Sequence, residues 1–90
     1  MEVRFSALAI KQRDLLKKSG DLAAQKKIFK FLQEIITDPY NGTGHPEQLK
    51  NYNTPTFSRK IDKKNRFVYS LPEGENIIEV LSIWGHYDDK

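Results

Sequence analysis

Cysteine is absent from this 90-residue chain, which at once excludes a disulfide framework, a thiolate nucleophile and cysteine-ligated zinc. Histidine is nearly as scarce. His45 and His86 are the only two, and neither an H-x-x-H nor an H-E-x-x-H spacing occurs. The expectation is therefore chemistry without a metal, and with no other cofactor implied. No stretch approaches the roughly 18 apolar residues of a membrane span, and MEVRFSALAI lacks the long apolar core of a signal peptide. A soluble, cytoplasmic protein is expected. The run NGTGH lacks the Lys-Ser/Thr of a nucleotide-binding P-loop and precedes no convincing helix. There is no internal repeat and no low-complexity tract.

What is present points to one small α+β domain spanning 1–90. Fifteen basic residues against 12 acidic give a formal charge of +3 and a pI near 9.2, a mild lean towards polyanionic partners. Glu2–Phe5 suits a short strand. Ser6 can cap a helix over Ala7–Lys18, which ends on two lysines that suit the helix dipole and a Ser19-Gly20 stop. Asp21 can cap a second helix from Leu22 to Thr37. There Ile28, Phe29, Leu32, Ile35 and Ile36 recur at helical spacing and predict one broad apolar face. Asp38-Pro39 ends it.

The stretch PYNGTGHPEQLKNYNTPT follows, holding turn signals and three of the chain's four prolines. Long irregular segments in small domains are uncommon and are often functional. Beyond it the period becomes strand-like, at Phe57–Ile61, Arg66–Leu71 and Asn76–Trp84. The last of these is apolar on both faces apart from Glu79 and Ser82, as expected for a central strand largely covered on both sides. The order β-α-α-β-β-β predicts two N-terminal helices packed on one face of a twisted, mainly antiparallel sheet.

Four polar residues stand out against this frame. Glu47, in HPEQLK, follows the loop, where the plain reading is a solvated carboxylate on a one-turn helix. Arg66 opens a strand and alternates away from Phe67 and Tyr69. It should project over the face without helices, where its planar fork suits a phosphate. His86 and Tyr87 follow the last strand, where a frayed terminus is the plain reading. Counting by twos, His86 shares the parity of Ser82 and Trp84 provided that Gly85 introduces no bulge. Together, a carboxylate, an arginine, a histidine and a tyrosine suffice for metal-free RNA cleavage. RNA carries its own nucleophile in the 2′-hydroxyl, leaving the protein to remove one proton, stabilise a phosphorane and supply another proton.

The run PYNGTGHPEQLK, then FSRKIDKKNRFVYSL, then the terminal HY resembles the Txe/YoeB family of toxins from type II toxin–antitoxin systems, within the RelE/ParE superfamily. Residues 38–87 carry the most specific part of the likeness. The resemblance implies a microbial-ribonuclease-like fold and an endoribonuclease that cuts mRNA in the ribosomal A site and halts translation. It implies Glu47 as general base, His86 as general acid, Arg66 as phosphorane stabiliser and Tyr87 as a positioning group. Lys50, Arg59 and Lys60 match basic positions around the RNA. Lys60 stands where arginine is common, which keeps the charge and loses the fork.

Expected partners are a cognate antitoxin of the YefM/Axe type (Phd/YefM family), the bacterial ribosome and mRNA, and the resemblance admits a homodimer. Asp88, Asp89 and Lys90 extend past the tyrosine that ends the family pattern, and the two acids could hold His86 protonated. Two other readings of the same fold are a ParE-like toxin that poisons DNA gyrase and a non-catalytic RNA- or antitoxin-binding module. The gyrase-directed branch generally lacks the Glu/Arg/His/Tyr set.

Overall fold

The computed structural model describes residues 2–84. Its elements are β1 (Glu2–Phe5), α1 (Ala7–Ser19), α2 (Leu22–Thr37), β2 (Glu47–Gln48), β3 (Thr56–Lys60), β4 (Arg66–Ser70) and β5 (Ile77–Ser82). Both expected helix caps form. Ser6 Oγ accepts from the Ala9 amide at 3.0 Å while its hydroxyl donates to the Leu81 carbonyl at 2.8 Å, so one side chain starts α1 and ties it to β5. Asp21 Oδ1 accepts from the Ala24 amide at 3.1 Å. Among the described residues no helix is long and apolar enough to cross a membrane.

The five strands form one sheet in the order β1-β5-β4-β3-β2. β1 runs parallel to β5, and every other pair is antiparallel. One face carries Phe57, Phe67, Tyr69, Ile78 and Val80, which pack with Ile28, Phe31 and Ile35 of α2 and with Ala9 and Leu16 of α1. Phe31 meets Phe67 edge-on at 5.8 Å and Phe57 stacks on Tyr69 at 5.6 Å, geometries favoured by the ring quadrupole.

Three expectations change. The buried stripe of α2 is Ala24, Ile28, Phe31 and Ile35, narrower than the sequence suggests. Phe29 and Ile36 are exposed by 64% and 48%, because each sits about 100° around the helix from a core residue beside it in sequence. Glu47 lies on an edge strand and not on a one-turn helix. Gln48 pairs with Phe57, the Leu49 amide donates to the Thr56 carbonyl at 2.7 Å, and the Leu49 side chain is buried. Pro46 lacks an amide hydrogen and is tolerated where the edge begins. Finally, β5 is internal but buries only one face fully. Ile78 and Val80 are buried, Ile77 and Leu81 are half-buried, and Glu79 is exposed.

Candidate active site

The pairing register decides which residues share the face away from the helices. Glu47 pairs with Ser58, Ser58 with Val68, and Val68 with Ser82, giving one row across four strands. Lys60 pairs with Arg66 in the next row. Directly paired residues point the same way from a sheet, so Glu47, Ser58, Lys60, Arg66 and Ser82 belong to one face. Ideal strand spacing puts the Glu47 and Arg66 backbones about 10 Å apart across the strands and about 7 Å along them. The Ser58 and Val68 side chains that lie between them on this face are buried. Glu47 and Lys60 are exposed and Arg66 is half-buried, while Lys50 is exposed just beyond β2. Among the described residues none of these cations meets a carboxylate at ion-pair distance.

The same register fixes the parity of β5. A shift between Val68 and Tyr69 sets Tyr69 opposite Val80 and Val68 opposite Ser82. Leu81 is therefore the extra residue of a bulge, and Ser82 joins the Arg66 face while Ile83 returns to the core. His86 and Tyr87, together with Asp88, Asp89 and Lys90, lie outside the described residues.

Arg59 departs from its expected role in contacting RNA. It faces the helices, paired with Phe67, and is 0% exposed. Its Nη1 donates to Glu34 Oε1 at 2.7 Å and to the Thr43 carbonyl at 3.3 Å. Nη2 donates to the Asn41 carbonyl at 3.0 Å, and Nε to the Tyr69 hydroxyl at 3.2 Å. Tyr69 in turn donates to the Pro39 carbonyl at 2.7 Å, and Thr43 donates to Glu34 through both its amide and its hydroxyl at 2.9 Å. Each of the three guanidinium nitrogens donates to the 39–44 loop or to the side chains that hold it. The correction follows from that enclosure, since a buried charge must be satisfied within the protein.

These contacts shape the titration of the clamp. Burial works against the charged form of Glu34. The Thr43 amide and hydroxyl and the Arg59 guanidinium outweigh it and hold the carboxyl below its ordinary value. Burial pushes the Tyr69 phenol up despite the opposing Arg59 charge, which keeps it a hydrogen-bond donor. Asp38, whose carboxylate accepts from the Asn41 side chain and the Tyr40 amide, is also lowered.

The loop fits this clamp because two of its residues lack a Cβ. At Gly42 (φ 134°) an added Cβ would lie 2.6 Å from Glu34 Oε1, and at Gly44 (φ 80°) it would lie 2.7 Å from Phe31 Cζ. Glu47 leaves this anchored loop three residues after Gly44, already paired with Ser58. Glu34, Thr43 and Tyr69 are the supporting residues that the sequence reading missed. A signal for Arg59 was present: in a strand it shares the face of Phe57 and Ile61, which are core types, and not that of Lys60.

Against known proteins, residues 13–87 match the family described as YoeB-like toxin of bacterial type II toxin-antitoxin system. That span includes His86 and Tyr87 and stops short of Asp88. A toxin YoeB from Mycobacterium bovis is 32% identical over 69 residues, 77% of this chain and 79% of the relative. A YoeB/ParE toxin from Agrobacterium tumefaciens superposes with a TM-score of 0.87 at 25% identity, covering 97% of this chain and all of the other. The YoeB dimer from Staphylococcus aureus gives 0.82, and the heterotetrameric YoeB–YefM toxin–antitoxin complex from the same organism gives 0.80. Both are 31% identical and cover 97% of this chain and 98% of theirs.

Proposed function

This chain belongs to the YoeB-like toxins of bacterial type II toxin–antitoxin systems, and from that premise we propose that it is a ribosome-dependent mRNA endoribonuclease. The observation that carries the reading is that Glu47, Lys60 and Arg66 share the one sheet face free of helices. A carboxylate and two cations are thereby carried on three neighbouring strands of the same face. The Glu47 carboxylate accepts the proton of the 2′-hydroxyl, and the oxygen attacks the adjacent phosphorus. Arg66, with Lys60 and Lys50 nearby, stabilises the negative charge that gathers on the phosphorane. His86 protonates the departing 5′-oxygen as the P–O bond breaks, leaving a 2′,3′-cyclic phosphate and a 5′-hydroxyl. Tyr87 positions the scissile phosphate. These last two roles come from the family resemblance. Every proton is exchanged between the RNA and a side chain of this protein.

The site works on mRNA held in the A site of the bacterial ribosome, in the cytoplasm. A YefM-type antitoxin silences it, as expected from the toxin–antitoxin assembly of its Staphylococcus relative, and the dimeric relative supports a homodimer. The test is primer extension on mRNA after expression of wild type, Glu47→Ala and His86→Ala. Wild type is expected to cut within the A-site codon, and both variants to lose about 10²-fold or more in rate. Growth arrest by wild type without A-site cuts would sink the nuclease reading. Undiminished cutting by His86→Ala would remove the acid assignment alone.

A further inference from the structure

Around the end of β3 from the candidate active site lies a cleft of about 520 Å³, a volume in the range of small-molecule sites. Three separate segments build it. Lys27 and Lys30 come from α2, His45 from the clamped loop, and Lys60, Asp62 and Lys63 from the β3–β4 connection. Phe31 and Ile61 close its floor. Four lysines therefore face one carboxylate, and that carboxylate is already engaged. Asp62 accepts from the Lys64 and Asn65 amides at 2.8 Å and from the Asn65 side chain at 2.9 and 3.1 Å, contacts that keep it ionised and inside its own turn.

Lys27 braces the wall by donating to the Ile61 carbonyl at 2.6 Å. Among the described residues, none of the four ammonium groups pairs with a carboxylate at ion-pair distance. Four close cations with apolar stems and no paired anions make a cleft of positive potential, which concentrates anions. Lysine binds phosphate as a point charge.

Lys60 belongs to both places. It lines the cleft, and it pairs with Arg66 on the active-site face. We propose that the cleft is a second RNA-backbone site, which takes a phosphodiester other than the one cleaved and is reached past Lys60. This rests on the RNA-cleaving reading for the nature of the ligand and leaves its chemistry untouched. The phosphodiester belongs either to the cleaved strand or to ribosomal RNA, and the two are separable by experiment.

The probe is a 2′-O-methyl RNA oligonucleotide, which binds without being cut, titrated in rising salt against wild type, Lys30→Gln/Lys63→Gln and Lys11→Gln/Lys18→Gln. The last pair removes the same charge from exposed positions on α1. The cleft variant is expected to bind about tenfold more weakly at low salt, with the slope of log affinity against log salt reduced by about 1.4, or 0.7 per lost phosphate contact. The α1 variant is expected to change by about twofold at most. Co-sedimentation with ribosomes is the second arm. A loss with the oligonucleotide assigns the cleft to the cleaved strand, and a loss only with ribosomes assigns it to ribosomal RNA.

Equal losses in both variants overturn the proposal. So does a loss confined to a poly-glutamate peptide, which would indicate an acidic protein partner. Lys63→Gln alone, in an exposed turn, is the second variant should the double one fail to fold. Because the probe is never cut, absent A-site cleavage with intact cleft binding sinks only the nuclease reading. Cleavage with unaltered binding sinks only this one.

Discussion

Arg59 and Arg66 stand on neighbouring strands and on opposite faces of one sheet. Arg59 is wholly buried, with its guanidinium spent on Glu34, Tyr69 and the carbonyls of Asn41 and Thr43. Arg66 is half-buried on the other face, opposite Lys60, and meets no carboxylate at ion-pair distance among the described residues. Each guanidinium nitrogen of Arg59 donates to the 39–44 loop or to a side chain that holds it, which spends this cation on the fold. On the proposed reading the sheet separates stability from chemistry by side-chain parity, and the loop from Pro39 to Gly44 joins the two. It is fastened on the Arg59 side and delivers Glu47 to the Arg66 side.

The sharpest way to break this contrast is at Arg66. Arg66→Ala should lower A-site cleavage by about 10²-fold or more while the thermal midpoint hardly moves, because a transition-state charge loses its partner and the core loses nothing. Single-turnover cleavage and calorimetry on one preparation check both halves. A large fall in midpoint would show that Arg66 is also structural.

Arg59→Ala should do the reverse and destabilise by about 3 kcal/mol. It strips two loop carbonyls and Tyr69 of a donor and leaves Glu34 without its cation, at the low end of the range for a broken buried pair because Glu34 keeps some contact with water. Urea denaturation measures it. A change within about 0.5 kcal/mol would end the clamp description.

Gly44→Ala should cost about 1–3 kcal/mol, since it combines a left-handed backbone with a methyl group pressed on the Phe31 ring. If activity falls further than stability explains, the loop also sets the position of Glu47.

The mildest test is pH. The folded Glu34 carboxyl lies below its ordinary value near 4.5. Its contribution to stability is complete above that value and disappears as pH falls through the folded one. The stability gap between wild type and Glu34→Gln should therefore be constant at neutral pH and shrink in acid below about pH 4.5. A gap that holds through strong acid would assign the effect of Gln to packing.

Much of this molecule is written in local pattern. Capping residues, helix propensity and two-residue alternation announced α1, α2 and the three long strands. The motif resemblance announced the family. Local pattern failed where the outcome depended on a distant neighbour. HPEQLK reads as a turn of helix until β3 offers unpaired backbone to Glu47 and Gln48, and Phe29 reads as core until the sheet covers only the Ile28–Phe31–Ile35 stripe. Arg59 reads as an RNA contact because it matches a basic position of the family pattern, whereas Glu34, its ion-pair partner, lies 25 residues away.

The sequence by itself determined α1, α2 and every strand but β2, because those preferences are set within a few residues by backbone sterics and side-chain period. It also determined that Arg66 and Phe67 point to opposite faces, which follows from the pleat alone. Tertiary structure decided which face each strand presents to the helices, and so which arginine is wholly buried and which stays partly exposed. It also decided that Glu47, Lys60 and Arg66 share a surface, because strand register is a contact between segments distant in the chain and no local rule encodes it.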